Sequence, residues 1–385
     1  MGASVLLLAT LETKGDEADY LTERLRGHGV TTIPVDVSLQ SRGVALGGAD
    51  KASAMEAAAA RGIETVAQAL SEGVHAVVGI GGGTGGQVIL KILRSLPITF
   101  PKVLITTMPF DPRYVMADNS IVMVPTLADI CGLNATLREV LENAAAMTAG
   151  LCQTRRVAAA CVTKPSIGIT ALGATDRAVA PLVEDLRQRG REATVIHANG
   201  FGGAAFARFA RRGAFEVIID LTPHELTRIH IAGSYVPMPE RFTAAPGTPR
   251  IVLPGALNFI GLGERRLLPD DFVSRPHYQH SGFFTHVKLT EVEMDLVTQK
   301  LADALNHAGG PRTLIVPMGG FSHEDGPDGA IEDPQLRDVF LDAAREHLSP
   351  DVKVVVMKEH LFDVAVRAKI HSELATMTAN RKVTA

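Results

Sequence analysis

Short apolar runs rich in branched residues alternate with longer segments of helical periodicity in the first part of the chain. The runs are nearly continuous, which is typical of strands buried on both faces of a parallel sheet. They predict strands at residues 5–11, 31–37, 75–80, 102–108 and 120–125. The periodic segments predict helices at residues 17–27, 51–72, 87–95 and 133–148. Strict alternation of strand and helix indicates a parallel sheet covered by helices on both sides.

The same alternation resumes near residue 160. It predicts strands at residues 166–172, 192–197, 216–220, 250–253, 313–317 and 352–357, and helices at 176–189, 204–212, 290–307, 335–347 and 363–378. Residues 223–285 show little periodicity and many Pro, Gly and His residues, which predicts long functional loops or a lid.

The predicted fold class is therefore α/β, with two Rossmann-like domains whose mainly parallel sheets face a shared cleft. A chain of 385 residues exceeds the size at which one core usually stays compact, which also favours two domains. We place the boundary within the basic pair Arg155-Arg156, which follows the fourth predicted helix. Residues 1–155 then form a nucleotide- or phosphate-binding domain, and residues 156–385 a domain with substrate-site loops.

Charge and composition exclude several classes of function. The net charge is −4 without a basic stripe, which argues against nucleic acid as a partner. No apolar run reaches the ~18–20 residues of a membrane span, so no membrane partner is expected. Three cysteines without a closely spaced pair indicate a reducing compartment, and we expect a soluble, cytoplasmic protein. We expect Cys131, which has no histidine partner nearby in sequence, in the core.

The sequence GIGGGTGG follows the third predicted strand and opens a helix. Glycines let the backbone approach a ligand closely, and the N-terminus of a helix offers free N–H groups and partial positive charge to a phosphate. The sequence has neither a Walker A lysine nor the acidic residue of a dinucleotide fingerprint. A purely structural turn is the alternative. We expect a cofactor phosphate site that comprises Gly81, Gly82, Gly83, Thr84, Gly85 and, after the fourth strand, Thr107.

A second polar segment follows the first predicted strand, as a loop over residues 10–16. The carboxyl ends of parallel strands meet at one edge of a sheet, so Thr10, Thr13 and Lys14 are expected beside the glycine-rich turn. The alternative is that Thr13 only caps the following helix. Asp36, at the end of the second strand, is expected to bind a ribose hydroxyl or a metal-bound water, or else to cap a loop.

An ordered series of motifs carries a family resemblance: ETKGDE, VDVS, GIGGGTGG, TLADICGLN, ENAAAMTAG, IGITALGAT, IHANGFGG, IIDLTPHEL and VLPGALNF. The series resembles the ATP-binding family of the tomato mosaic virus resistance protein over residues 3 to 370. The resemblance implies two Rossmann-like subdomains, the first of which binds ATP and Mg²⁺. Plant relatives continue into a TIM-barrel domain, so it also suggests a separate TIM-barrel partner protein. Glu12 stands where relatives carry Asp, and a stiff Pro109-Phe110 turn replaces Ser-Gly.

Histidines and carboxylates follow several strands of the second half, as expected for a catalytic edge of an α/β sheet. Catalytic roles are predicted for His197, Asp220, Glu225 and His323, and substrate binding for Asn199, Gly202, Gly203, Asn258, Arg275, His277 and His280. These residue types suit general acid–base chemistry or a divalent metal, although no metal-ligand spacing identifies the ion. The alternative is that individual histidines only cap turns or bond buried backbone.

Two functions follow from these residues and from the resemblance. The first is a nucleotide-binding enzyme of the hydrolase or lyase class. It would act on a small carboxylate or carbonyl compound by acid–base or metal-assisted hydrolysis or C–C cleavage. The second is a non-catalytic ATP-binding module that regulates or docks a partner protein. In either case we expect a homo-oligomer.

Overall fold

A computed structural model describes residues 2–40, 44, 46–153 and 165–383, without the side chains of 380–383. Two compact units, Met1–Cys161 and Val162–Ala385, divide the chain. The predicted boundary between residues 155 and 156 lies outside the described residues. Both units contain a parallel sheet with helices, which confirms the predicted α/β class with mainly parallel sheets.

The first unit contains a five-stranded parallel sheet in the order β2-β1-β3-β4-β5. Its strands are β1 (Ala3–Ala9), β2 (Val30–Asp36), β3 (Ala76–Gly81), β4 (Lys102–Thr106) and β5 (Val122–Pro125). The chain runs from β1 to one neighbour, β2, and then crosses back to the other neighbour, β3. This reversal is a topological switch point, where open α/β sheets form a crevice beyond the carboxyl ends of the strands.

Helices cover both faces of this sheet. They are α1 (Leu11–Gly27), α2 (Gly48–Ser71), α3 (Gly83–Ser95), the short α4 (Pro112–Met116) and α5 (Ala135–Gln153). Alternate residues of a strand point to opposite faces, so Val5 and Leu7 of β1 belong to the core under α1 and α5. Leu6 and Leu8 belong to the core under α2 and α3. Burial on both faces explains the nearly continuous apolar runs in the sequence.

The second unit contains a six-stranded parallel sheet in the order β14-β13-β9-β8-β6-β7. Its strands are β6 (Ser166–Ala171), β7 (Ala193–His197), β8 (Phe215–Asp220), β9 (Arg250–Val252), β13 (Arg312–Pro317) and β14 (Lys353–Met357). The longer helices are α6 (Asp176–Gln188), α7 (Gly202–Arg211), α10 (Glu291–Ala308), α11 (Pro334–His347) and α12 (Val364–Val383). Here the chain reverses between β6 and its neighbours β7 and β8, which repeats the switch point of the first unit.

The segment predicted as irregular, residues 223–285, is more ordered than expected. It contains the short helices α8 (Glu225–Thr227) and α9 (Asp270–Val273), and it supplies strands to a three-stranded antiparallel sheet. The strands of this sheet are β10 (Phe259–Leu262), β11 (His277–Ser281) and β12 (Phe284–Lys288). Each is only four or five residues long, and β11 and β12 are rich in polar groups, so the apolar pattern did not reveal this sheet.

Two further expectations have clear outcomes. Cys131 is exposed, so its predicted place in the core is wrong. It lies in the loop between β5 and α5, next to Gly132 with its positive φ of 80°. Within the described part of the chain, every helix is too short or too polar to cross a bilayer.

Candidate functional site

A pocket of about 370 Å³ opens at the switch point of the first unit. Seven of the predicted cofactor-binding residues line it: Thr10, Thr13, Lys14, Gly82, Gly83, Thr84 and Gly85. Seven further residues complete the lining: Glu12, Ser38, Leu39, Val44, Leu46, Lys51 and Asp129. The structure thus brings together the two segments that the sequence placed at neighbouring strand ends.

Helix α1 begins immediately after β1, so the prediction of a loop over residues 10–16 is wrong. The backbone N–H groups of Leu11 and Glu12 donate to Asp36 Oδ1 at 3.1 Å and to Ser38 Oγ at 3.1 Å. These bonds satisfy N–H groups that the first turn of a helix leaves without partners. Side chains from the end of β2 therefore start the helix one residue beyond the strand.

Asp36 therefore caps the start of α1 and the loop after β2. Capping is one of the two roles that the sequence left open for this residue. Its carboxylate also accepts hydrogen bonds from the backbone and the hydroxyl of Ser38. Burial raises the pKa of Asp36, but the hydrogen bonds from Ser38 and Leu11 and the charge of Arg61 outweigh it and hold the pKa below its ordinary value. Thr13 does not cap through its side chain; its hydroxyl lies 3.1 Å from that of Thr10.

The glycine-rich turn is shaped by close backbone approach. A Cβ on Gly81 would lie 2.7 Å from the backbone nitrogen of Gly86, and one on Gly85 would lie 3.1 Å from Thr10 Cγ2. A Cβ on Gly83, the first residue of α3, would have no neighbouring atom within 4 Å. Gly81 and Gly85 thus allow β3, α1 and α3 to converge, while Gly83 borders open space. The first N–H groups of α3, which have no partners within the helix, lie at this pocket.

Two lysines bring positive charge to the pocket. Lys14 Nζ donates to the backbone carbonyl of Ile130, which fixes the ammonium near the β5–α5 loop. Lys51 reaches the pocket from the first turn of α2. Sequence reasoning missed Lys51 because α2 starts far along the chain from both predicted segments. The helical start near residue 48 was the only available signal.

The turn after β4 does not obstruct this pocket. Phe110 packs against the core under α2 and α3, and Asp111 caps α4 through the backbone N–H of Arg113. A Cβ on Gly82 would lie 3.8 Å from the hydroxyl of Thr107, which places Thr107 beside the glycine-rich turn. The bulky Phe110 is therefore accommodated by the core, and Pro109 is exposed.

A second pocket, of about 190 Å³, opens at the switch point of the second unit. Its lining includes three predicted site residues, His197, Asn199 and His280. The remaining lining residues are Leu172, Gly173, Ala174, His224, Tyr235, Gly261, Phe284 and His286. Residues of the antiparallel sheet thus cover the carboxyl ends of β6, β7 and β8 and contribute two of the four imidazoles.

Both ring nitrogens of His224 are in use. Nδ1 lies 2.7 Å from the carbonyl oxygen of Ala256 and must donate to it, because a carbonyl only accepts. Nε2 is then free of hydrogen and accepts from the backbone N–H of Gly261 at 3.3 Å. Burial lowers the pKa of His224 to about 3, against the opposing effect of the Ala256 bond. His224 is a neutral residue that positions the Gly261 backbone at the pocket wall.

The predicted catalytic carboxylates lie in a buried cluster centred on Arg241. Its guanidinium donates two hydrogen bonds to Asp220, at 2.8 and 2.9 Å, and one to Glu225 at 2.6 Å. Burial raises the pKa of Asp220, but the charge and hydrogen bonds of Arg241 and a bond from Thr170 outweigh it, so this pKa lies below its ordinary value. Both carboxylates are thus bound by the Arg241 guanidinium inside the fold.

The glycine turn that opens α7 is occupied from within the chain. The backbone N–H groups of Gly200 and Gly203 both donate to Glu225 Oε1, at 3.0 and 2.9 Å. The carboxylate at this helix N-terminus therefore belongs to the protein itself. Gly202 packs against the backbone of His197, where a Cβ would lie 2.0 Å from the carbonyl oxygen.

The other predicted residues of the second unit lie outside the lining of its pocket. His323 is exposed, and its backbone N–H donates to Ala174. Arg275 makes a salt bridge with Glu293 at 2.7 Å, and His277 accepts a hydrogen bond from Arg265. Asn258 is buried, and its amide atoms have no hydrogen-bond partner among the described residues.

Two site residues were missed by sequence reasoning, His286 and Glu324. His286 Nδ1 lies 3.3 Å from Glu324 Oε1, and both side chains are buried. Phe259 stacks on the His286 ring at a centroid distance of 4.0 Å. Only the pairing of β11 with β12 reveals that His286 belongs to the pocket, and no local motif marks that pairing.

Several known proteins are similar in sequence to most of this chain. A UPF0261 protein of Clostridium tetani is 27% identical over 98% of this chain and 99% of its own length, and one of Rhizobium meliloti is 30% identical over 86% and 87%. The ToMV resistance protein Tm-1 of Solanum lycopersicum is 29% identical over 67% of this chain and 35% of its own length. A solved C2-type ketoreductase structure from a modular polyketide synthase covers 92% of this chain and 81% of its own, at 18% identity and a TM-score of 0.25.

Family models match both units. Residues 164–378 match the C-terminal domain described as Uncharacterised protein family (UPF0261), and residues 40–157 match the N-terminal domain of the same family. The C-terminal match alone spans more than half of the chain. The chain belongs to the UPF0261 family.

Proposed function

We propose that the first unit binds a nucleotide polyphosphate, such as ATP, as its Mg²⁺ complex. One observation carries the proposal: the first turn of α3, Lys14 and Lys51 line the same pocket at the switch point of the sheet. Free N–H groups at a helix N-terminus and lysine ammonium groups are favourable partners for phosphate. The hydroxyls of Thr10 and Thr13 add hydrogen-bonding groups to this surface.

The rest of the lining suits the other parts of such a ligand. Leu39, Val44 and Leu46 provide apolar surface for a base. Glu12 and Asp129 provide carboxylate oxygens, the ligands that Mg²⁺ prefers. The pocket volume, about 370 Å³, lies within the range of ~300–1,000 Å³ that small-molecule sites occupy.

Calorimetric titration with ATP, ADP and adenosine, each with and without Mg²⁺, tests this proposal. We expect affinity to fall as phosphates are removed. Lys51→Met should weaken ATP binding roughly 5–10-fold, as expected for a loss of about 1 kcal/mol between partly exposed charges. Lys91→Met is the matched control, because Lys91 lies on α3 and pairs with Glu56 outside the pocket. Equal affinities for ATP and adenosine, or equal effects of the two variants, would refute the phosphate site.

For the second unit we propose an enzyme active site for a small carboxylate or carbonyl compound. The pocket at its switch point carries His197, His280 and His286, together with the amide of Asn199. Imidazoles transfer protons in general acid–base catalysis, and the amide can orient a substrate oxygen. Hydrolysis and C–C cleavage are the reaction classes that such groups support. The volume of about 190 Å³ restricts the substrate to a small molecule.

An NMR-monitored panel of carboxylic esters, 2-oxo acids and 3-oxo acids tests the catalytic role. His197→Gln should abolish turnover of any converted compound while ATP affinity is unchanged. His307→Gln, at an exposed position of α10, is the matched control and should keep full activity.

The second candidate function is a nucleotide-dependent module that docks another protein. It is favoured by the similarity to the plant ToMV resistance protein, which extends well beyond the region shared with this chain. A separate TIM-barrel partner or a second copy of this chain would then bind in an ATP-dependent manner. Nucleotide binding without turnover of any compound in the panel supports this candidate over the enzyme.

A further inference from the structure

The antiparallel sheet brings two histidines to one face, next to a carboxylate from another element. His286 on β12 is the cross-strand partner of Tyr278 on β11, and His280 lies two residues further along β11. The register of β11 and β12 is irregular between Gln279 and Ser281, so His280 has no cross-strand partner there, and its ring lies 5.0 Å from that of His286. Glu324 follows β13. One ligand atom from each of these three residues lies within 4.8 Å of the other two.

The two inner groups of this cluster have unused bonding capacity although they are buried. His286 is 6% exposed and Glu324 is 4% exposed. Among the described residues, Glu324 Oε2 has no hydrogen-bond partner, and His286 Nδ1 has only the contact of 3.3 Å with Glu324 Oε1. A buried polar atom without a partner is destabilising. A bound ion would supply the missing partner of Glu324 Oε2 and a shorter bond for His286 Nδ1.

We propose that His280, His286 and Glu324 bind a divalent first-row transition-metal ion, such as Zn²⁺, in the pocket of the second unit. Two imidazoles and one carboxylate form the donor set of several catalytic zinc sites, and they leave a coordination position open. Because His280 and His286 line the pocket, the open position lies where a water or a substrate oxygen can reach the ion.

The geometry requires one side chain to move. Zn–N and Zn–O bonds of ~2.1 Å at tetrahedral angles place ligand atoms about 3.4 Å apart. The rings of His280 and His286 are stacked at 5.0 Å with 11° between their planes, and parallel rings do not aim their nitrogens at one point. His280 is exposed and can rotate out of the stack. His286 is held by Phe259 and keeps its ring plane, so the ion assembles on a fixed His286–Glu324 pair.

The other polar groups of the pocket are less suited to this role. His224 uses both ring nitrogens, and His197 lies outside the cluster of ligand atoms. The inference adds a metal ion to the proposed active site in this pocket. Only the catalytic role of the ion rests on the proposed function. Binding of the metal itself can be measured without any substrate.

Metal-depleted full-length protein titrated with Co²⁺ tests the inference, with the visible absorption spectrum and elemental analysis as readouts. We expect one ion per chain, with the intense absorption of four- or five-coordinate cobalt, and displacement by Zn²⁺. Removing a direct ligand should weaken binding at least ~10–100-fold, the cost that loss of an outer-shell partner already carries. His280→Ala is the principal variant, since an exposed side chain can be removed without disturbing the core. Glu324→Gln keeps the shape of the buried ligand.

His323→Ala is the matched control, because His323 is exposed, adjacent to Glu324 in sequence and outside the cluster. It should bind Co²⁺ as the wild type does. If wild-type protein retains no ion, or if His280→Ala binds as tightly as His323→Ala, then His286 and Glu324 form an ordinary buried ion pair. Turnover by a protein that binds no Co²⁺ would overturn this inference alone. Metal binding without turnover would overturn only the enzymatic function.

Discussion

His224 makes the stability of the protein depend on pH between neutral and mildly acidic conditions. The fully buried imidazole has its pKa lowered from 6.5 to about 3, mainly by burial. In the unfolded chain the same side chain binds a proton below pH 6.5, whereas the folded protein cannot do so until the pH approaches 3. The contribution of the neutral ring to the free energy of unfolding is therefore complete above pH 6.5 and is lost progressively as the pH falls toward 3.

The magnitude follows from the gap between these values. Each pH unit within the gap lowers the free energy of unfolding by ~1.4 kcal/mol for one titrating group. Between pH 6.5 and pH 5, His224 alone should destabilise the protein by about 2 kcal/mol. Its burial beside Phe259, with ring centroids 4.8 Å apart, leaves the charged form no solvent to stabilise it.

Urea unfolding at pH 7 and pH 5, for the wild type and for His224→Asn, measures this contribution. The asparagine amide occupies the place of Nδ1, so it can still donate to Ala256, but it does not titrate. At pH 7 the variant should be less stable, since it loses the acceptor for Gly261 and part of the packing against Phe259. At pH 5 the difference should be smaller by about 2 kcal/mol.

Other histidines with lowered pKa values, His230 and His360, are present in both proteins, and their contributions cancel in the comparison. If the stability difference between wild type and variant is the same at both pH values, then His224 is solvated or charged in the folded protein. The assignment of its two hydrogen bonds would then be incorrect.

Three further substitutions probe the packing of the fold, and urea unfolding measures each. Arg241→Met leaves the buried carboxylates of Asp220 and Glu225 without their cation and should cost about 3–5 kcal/mol; a loss below ~1 kcal/mol would show that solvent reaches the cluster. Gly203→Ala places a Cβ 2.4 Å from Glu225 Oε2 and should cost about 1–3 kcal/mol. Gly150 is exposed on α5, and a Cβ added there has no neighbouring atom within 4 Å. Gly150→Ala should therefore stabilise the protein by up to ~1 kcal/mol, and a loss of stability would show that the position is crowded.

The sequence predicted those features that depend on local pattern and on the geometry of parallel sheets. Buried strands were recognisable because both faces of each sheet are covered by helices. Thr10, Gly83 and His197 each follow a strand, so their placement at a carboxyl edge required only the strand ends and the parallel arrangement. The fold class could be derived from the same information.

The features that the sequence did not reveal depend on contacts between distant segments. Because Glu225 follows a strand, the sequence predicted that it contacts the substrate. In the structure Glu225 instead accepts a hydrogen bond from Arg241, which lies sixteen residues later in the chain. Glu324 meets His286 only because β11, β12 and the loop after β13 converge. Such pairings produce no periodic pattern in the sequence, because the two partners lie in separate segments and neither segment indicates the position of the other.

The two units show how one strand order can support different chemistry. In each unit the chain reverses at the same point, and a pocket opens beyond the first and third strands. In the first unit, glycines, lysines and threonines line the pocket, which is the basis of the proposed polyphosphate site. In the second unit, a carboxylate of the chain itself fills the glycine turn that opens α7. Imidazoles from an inserted antiparallel sheet cover the strand ends there. Under both proposals the fold determines where a ligand binds, and the segments around the strand ends determine which ligand it is.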